Sequence, residues 1–422
     1  MSEVHTHDVH AAHRTAADFA ASLEVGRLQT LALIAAVVGI ALTLLGAFLD
    51  IEQFFHSYLI GFVFWTGVSA GCLAILMIQH LAGGAWGVVI RRVLEAASSP
   101  LTLLVMLLLF IPVVIGAPFL YEWTHRDAVQ ANQFLQWKAP YLNLPFFIGR
   151  TILYFAIFGA LSYFLNVWSN QQDNDPANGY IYERQMRTLS GPGLVLFALT
   201  TTFASVDWVM SLDPEWYSTI FGILFMGGWG LSALAFVIAV SVFLAQRRPM
   251  NDILAPAHFH DLGKLLLAFV MLWAYFSFSQ LLIIWSGNLP EEIPWYLRRY
   301  SGGWQVVSIA LIVFHFALPF LLLLSRDLKR HARTLGAVAL FVLLMRMVDV
   351  VWLIAPEAHR GHGAPSYVGH LNPVAILFGF AALIGIGGVW LALFAWQLRR
   401  RPLMPLGDPL LEKALHHGHH HH

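Results

Sequence analysis

The sequence predicts an all-α integral membrane protein in which about ten transmembrane helices form two repeated four-helix bundles plus two flanking helices. Three observations carry this. The 422 residues are 58% hydrophobic and only 11% charged, too little polar surface to coat a soluble globule. Near-charge-free runs of about 20 residues, enough to cross ~30 Å of hydrocarbon as a helix, recur ten times along the chain. Segments of the second half repeat segments of the first.

In chain order, residues 1–27 read as a tail with a His-rich stretch, HTHDVHAAH, at 5–13. The first span, 28–49, and its outer loop make up 28–56 and flank the bundles. The first bundle, 57–216, holds spans at 57–79, 100–120, 144–168 and 190–211. The second, 217–354, holds spans at 217–244, 263–286, 304–326 and 335–354. An outer loop and the last span, 373–396, occupy 355–398. Residues 399–422 read as a second tail ending HHGHHHH, native or a cloning tag, with 402–415 a disordered extension. Each span must be helical, because hydrocarbon offers backbone N–H and C=O groups no other partner and barrel strands alternate over much shorter runs. The spans read as continuous helices. The first run lacks a small-residue cleavage site, so no removable signal peptide is expected.

Of the 24 lysines and arginines, 17 fall on the side of the termini, five on the opposite side, and Arg150 and Arg346 in or beside spans. This asymmetry predicts cytoplasmic N- and C-termini. The single cysteine, Cys72, lies within a span, which leaves no intrachain disulfide, Cys-ligated cluster or CxxCH haem attachment. There is no P-loop, dinucleotide fingerprint, HExxH or nucleophile elbow, and the short juxtamembrane basic groups suit lipid headgroups and not nucleic acid. His258, His260 and Asp261 fall in a cytoplasmic loop, where they would hold a metal only with ligands from elsewhere, so no metal site is assigned.

The repeat is visible residue by residue. SYLIGFVFWTGVSAGCLA (57–74) matches STIFGILFMGGWGLSALA (218–235), and VDWVMSLDPE (206–215) matches VDVVWLIAPE (348–357). The cassette NLPFFIGR (143–150) returns in NLPEEIPWYLRR (288–299), pairing Pro145 with Pro294 and Arg150 with Arg299. Four helices per copy is an even number, so the copies run parallel. Gly61, Gly67 and Gly71 against Gly222, Gly228 and Gly230 suit close helix contact in lipid. In each copy the third helix is approached from outside through a Pro-aromatic-aromatic-x-x-Arg segment. The second version adds Glu291 and Glu292 before Trp295 and doubles the arginine to Arg298 and Arg299, which reads as a charged outer surface for docking a partner, or else as a solvated helix cap.

Ionisable groups inside hydrocarbon cost about 2.5–3.5 kcal/mol each on insertion scales, so each is a candidate for function. Asp207 and Asp349, repeat mates, fall near the outer ends of their spans. Arg346 precedes Asp349 by three residues and can pair with it on one helical face, while Arg150 can serve Asp207 across helices. With His315 near the middle of the eighth span, Asp207, Asp349 and Arg346 are the candidates for a proton path; Arg150, Asp207 and His56 are candidates for binding a quinol. The structural alternatives are ion pairs that pin helix ends and a histidine satisfied in the core. No two histidines face each other in a way that would clamp a b-type haem.

The run YFSFSQLLIIWSGNLPEEIPWYLRR (275–299), set in this ten-helix repeated plan, resembles the F subunits (ActF) of alternative complex III, within the NrfD/PsrC-like membrane proteins, over residues 20–400. The resemblance implies a membrane subunit of a bacterial quinol:cytochrome c, or direct-oxidase, oxidoreductase in the cytoplasmic membrane, binding no cofactor covalently. Menaquinol or another quinol is the implied small molecule. The implied partners are a homologous NrfD-like C subunit, multihaem cytochrome c subunits, an iron–sulfur subunit and a terminal oxidase, so that haem c and iron–sulfur clusters belong to other chains. Two other readings stand beside it: an assembly scaffold without chemistry, and a proton-coupled secondary transporter, which the continuous spans and face-proximal acids disfavour.

Overall fold

A computed structural model describes residues 19–20, 23–358 and 371–417. The 5–13 histidines, Arg14, Arg360 and residues 418–422 lie outside the described residues. Among those described the fold is helical without strands, and ten helices are long and apolar enough to cross a membrane. They are α1 (Glu24–Leu49), α2 (Ile51–Ala82), α3 (Arg91–Ile115), α4 (Leu144–Asn174), α5 (Pro176–Leu212), α6 (Phe221–Ala245), α7 (Pro256–Gly287), α8 (Trp304–Leu324), α9 (Ala332–Glu357) and α10 (Ile376–Leu398). All ten expected spans are present; α5 begins 14 residues before its expected start, α3 begins nine residues early and stops five short, and the other ends lie within seven residues of those expected.

Local chemistry sets several boundaries. Asp50 accepts a hydrogen bond from Gln53 N and caps α2, and Asn143 does the same for Phe146 N at α4, with Pro145 in the first turn where its missing donor costs nothing. Helix α7 starts at Pro256 and stops at Asn288, the one non-glycine residue with positive φ (48°) among those described.

Helices α2 and α6, the repeat mates that open each bundle, pack against one another at the centre of the molecule. Gly67 and Gly71 face Trp229, so closely that a Cβ at either position would collide with it. The small residues expected to bring helices together do so. Helix α1 lies along α10, with backbone meeting backbone where Gly39 faces Gly385 and Gly388 faces Ala36, and α10 in turn covers α2. Trp65 on α2 donates its indole N–H to Leu383 O at 2.8 Å, and Trp390 on α10 donates to Ser69 Oγ at 2.7 Å. Every side of the apolar stretch of α2 is buried.

Three sequence expectations need correction. The spans are not all continuous. Helix α3 breaks after Ala97 and again at Leu109–Phe110, where Pro100 and Pro112 withdraw donors from the ladder. The carbonyl of Leu109, released by the second break, accepts the Tyr58 hydroxyl at 2.7 Å. Helix α8 widens to a π-helix over Leu311–Ala317, immediately before Pro319, whose ring would clash with the His315 carbonyl in a regular α-helix.

Second, residues 402–415 are not a disordered extension. Leu403, Met404 and Ala414 are buried, and Asp408 lies inside an ion network with Arg91, 2.8 Å from its Nη1. Third, His258, His260 and Asp261 form the first turns of α7 and not a loop. His258 Nδ1 accepts from Ala255 N, its Nε2 lies 3.1 Å from Ala414 O, and the described residues contain no cluster of three His, Cys, Asp or Glu fit for a metal.

Candidate functional site

The cassette 288–299 turns inward. In the first copy the same motif begins an unbroken helix of 31 residues, Leu144–Asn174. In the second it forms a short helix, Ile293–Arg299, that ends before Gly302 and Gly303, whose φ angles of 56° and 100° carry the chain into α8. Glu292, Trp295, Arg298 and Arg299 are buried, and Glu291 stays exposed. Arg298 pairs with Asp213, and its Nη2 lies 3.2 Å from Glu357 Oε2. Arg299 Nη1 is 2.9 Å from Glu357 Oε1, and its Nη2 donates at 2.7 Å to Leu353 O at the end of α9. The Arg299 guanidinium also covers the Trp295 ring at 3.4 Å, and Trp295 stacks on Trp216 with centroids 4.4 Å apart.

The expected docking surface is therefore an internal clamp joining the α5–α6 connection, α8 and the end of α9. The arginines point in because Asp213, Glu357 and orphan carbonyls at a helix C-terminus are there to receive them. Burial draws the Arg299 guanidinium down to about 10, with Glu357 pulling it back up, so it stays charged at neutral pH.

Both intramembrane aspartates are buried and compensated, in different ways. Asp207 is fully buried on α5. Its Oδ2 accepts from Arg150 Nε at 2.8 Å and Tyr154 OH at 2.6 Å, and its Oδ1 accepts from Arg150 Nη2 at 2.8 Å. Arg150 spends its remaining nitrogen on Tyr141 O at 2.8 Å and lies over the Tyr141 and Phe146 rings. This is a saturated, bidentate pair. His56, buried at the start of α2, has Nδ1 3.0 Å from Glu52 O and makes no hydrogen bond with Arg150 or Asp207.

Asp349 on α9 is one-sided. Its Oδ2 receives both Arg346 Nη1 and the indole N–H of Trp273, the latter at 3.2 Å, while Oδ1 has no hydrogen bond among the described residues. Arg346 donates further to Ser232 Oγ at 3.2 Å, and it fits because α6 has glycine at 228: a Cβ there would lie 2.5 Å from Arg346 Nη2. Trp273 also meets His315 edge-on, with centroids 4.2 Å apart. His315 is wholly buried in the π-helix, neither ring nitrogen has a partner among the described residues, and its ring feels the charge of Arg346. The structure thus gathers Asp349, Arg346 and His315 around Trp273 in the second bundle and leaves Asp207 with Arg150 in the first.

A cavity of about 480 Å³ opens beside Asp349, between α7, α8 and α9 near the cassette end of the bundle. Its wall is almost entirely apolar and aromatic, and Asp349, Gln280, Ser308, Tyr296 and Tyr300 supply the polar points. Gln280 accepts from Ser218 Oγ at 3.0 Å and donates to Tyr296 OH at 3.3 Å. Burial raises the Tyr296 hydroxyl above its ordinary value, which keeps it protonated. Tyr275, Phe278 and Ile312, more than half exposed, form the rim on the lipid side of α7 and α8.

Trp273 and the cavity tyrosines were not singled out in the sequence, although a signal existed. Trp273, Ser277 and Gln280 recur at i, i+4 and i+7, one inward stripe of hydrogen-bonding side chains in an otherwise apolar run. At the opposite end, Arg91, Arg92, Glu95, Asp173 and Asp408 form a buried network, whose two arginines the sequence placed among juxtamembrane groups suited to lipid headgroups. Compared with known proteins, the chain matches no family model and no curated sequence.

Proposed function

We propose that the chain is a membrane subunit of a bacterial respiratory quinol:cytochrome c, or direct-oxidase, oxidoreductase of the alternative complex III kind, and that its α7–α8–α9 cavity binds the head of a quinol-class molecule. One observation carries the reading: a laterally open apolar cavity ends on a buried carboxylate with one unengaged oxygen. Small-molecule sites combine such walls with few convergent polar groups. A flat aromatic head enters from the lipid side between α7 and α8. Its hydroxyl donates to Asp349 Oδ1, and Tyr296 OH serves the far ring oxygen.

Oxidising a quinol releases two protons and two electrons. Asp349 accepts the proton of the hydroxyl it binds, held in place for it by Arg346 and Trp273, and the proton of the far hydroxyl leaves past Tyr296 OH to solvent at the cassette end. The electrons leave to haem c or iron–sulfur centres, which the resemblance assigns to partner subunits. Arg150 and Asp207 take no part in binding, because their hydrogen-bonding capacity is already spent within the chain. The basic side of the molecule faces the cytoplasm in this reading, as its excess of lysine and arginine supports.

The test is saturable binding of a short-chain naphthoquinone to the purified chain, followed by quenching of tryptophan fluorescence and compared with Asp349→Asn. Saturable quenching that weakens several-fold in the variant is expected. Equal, unsaturable partitioning into both proteins overturns the quinol site and leaves an assembly scaffold.

A further inference from the structure

At the end of the molecule where α1 begins and α10 ends, a second pocket of about 270 Å³ lies between α3, α4 and the end of α10. Arg92, Arg400 and Arg401 line it, and Glu95 is the one carboxylate in its wall. That carboxylate is committed: it accepts from Arg91 Nε at 2.9 Å and Arg92 Nη1 at 2.5 Å, and Arg401 Nη1 lies 3.6 Å away. Arg92 is 2% exposed, and although its terminal nitrogens bond Glu95, Ser169 and Asp173, its Nε is buried with no partner. Arg401 donates to Asn166 Oδ1 at 3.1 Å. Arg400 lies over the Trp396 ring at 4.2 Å and makes neither an ion pair nor a hydrogen bond among the described residues. The pocket therefore has more positive charge than its own wall neutralises.

Its other wall is apolar. Ala96, Pro100, Leu101 and Leu398 line it, and from Leu101 an exposed stripe continues along α3 through Leu104, Leu108, Ile111 and Ile115 at helical spacing. A cationic pocket at one end of the span, with an apolar track leading into the hydrocarbon, matches the two halves of one molecule. We infer that this pocket binds the phosphate headgroup of an anionic phospholipid, with Arg400 closing over the phosphate and an acyl chain lying along the α3 stripe. Basic pockets between transmembrane helices capture such headgroups through charge-assisted hydrogen bonds. Because Arg92 also braces Glu95 and Asp173, the bound lipid ties α10 to the broken start of α3.

The experiment delipidates the purified full chain in detergent and titrates it with phosphatidylglycerol, phosphatidylcholine or inorganic phosphate, reading bound lipid by native mass spectrometry and stability by thermal unfolding. Phosphatidylglycerol should bind and raise the unfolding temperature, with affinity about tenfold weaker in Arg400→Gln and retained in Arg400→Lys. The Arg400 side chain makes no ion pair or hydrogen bond among the described residues, so neither variant disturbs the ion network. Equal binding of the two phospholipids, or wild-type affinity in Arg400→Gln, overturns the inference. Stabilisation by inorganic phosphate matching that of phosphatidylglycerol overturns the lipid in favour of a soluble anion.

Discussion

Trp273 donates its indole N–H to Asp349 Oδ2 across 3.2 Å, from one bundle helix to another. The bond takes up the same oxygen that Arg346 holds and leaves Oδ1 without a hydrogen bond among the described residues, on a side chain that lines the cavity. Trp273→Phe keeps an aromatic ring against His315 and removes the donor. Naphthoquinone affinity should fall about tenfold or more, as losing one hydrogen bond to a charged group (~1.5–3 kcal/mol) implies, while the unfolding temperature changes little. Isothermal titration and thermal unfolding of the same preparations check both halves.

Asp207→Ala should be among the most damaging single changes. It strands Arg150, 7% exposed, without its counterion, and breaking such a pair costs ~3–5 kcal/mol. The double variant Asp207→Leu/Arg150→Met should recover much of the loss, because it removes both charges together. Denaturation in mild detergent distinguishes the two. Equal instability of single and double variants would refute the ion-pair account.

Gly228→Ala places a methyl group against the Arg346 guanidinium and should cost about 1–3 kcal/mol as the side chain is displaced. Gly149→Ala on α4 is the control. Nothing lies within 4 Å of its added carbon, and replacing a helical glycine there should leave the protein as stable or more so, by up to ~1 kcal/mol.

His315→Leu should stabilise the chain by about 1–3 kcal/mol, since two buried ring nitrogens without partners among the described residues lose their desolvation cost. If the ring carries a proton during turnover, quinol oxidation by the assembled complex will drop in the same variant. Unchanged turnover with raised stability reduces His315 to a packing residue.

Asp408→Asn tests the docked C-terminal segment. It removes one of the two carboxylates that hold Arg91 and should cost ~1.5–3 kcal/mol, with faster proteolysis of residues 402–417 as the local readout. Protection equal to wild type would show that the packing of Leu403 and Met404 suffices.

What the sequence made legible was local or repeated. Runs of apolar residues located the ten spans, and the three-residue spacing of Arg346 and Asp349 placed them in one ion pair. Their places near the outer ends of their spans made Arg150 a partner for Asp207 across helices. What stayed hidden depended on partners remote in sequence. Arg298 reads as a solvent-facing charge until Asp213, 85 residues away, is brought beneath it, and Asp408 reads as a tail residue until Arg91, 317 residues earlier, receives it. The duplication also misled: Arg299 is the mate of Arg150, yet its acid is Glu357 and not the mate of Asp207. Pro319 carried a signal for the π-helix that the reading of continuous spans passed over, because it forbids a regular turn at His315, but proline alone does not say which residues will absorb the strain.

The complete enclosure of α2 sets an order of events. One of its sides is covered by α10, which is synthesised more than 300 residues later. While the ribosome is still working, the second span must wait beside lipid or translocon with Trp65 and Ser69 lacking their α10 partners, and the centre of the molecule closes only when its final helix arrives. Loss of α10 therefore leaves the earliest bundle unfinished, so a truncated product should be degraded and not accumulate as a working half.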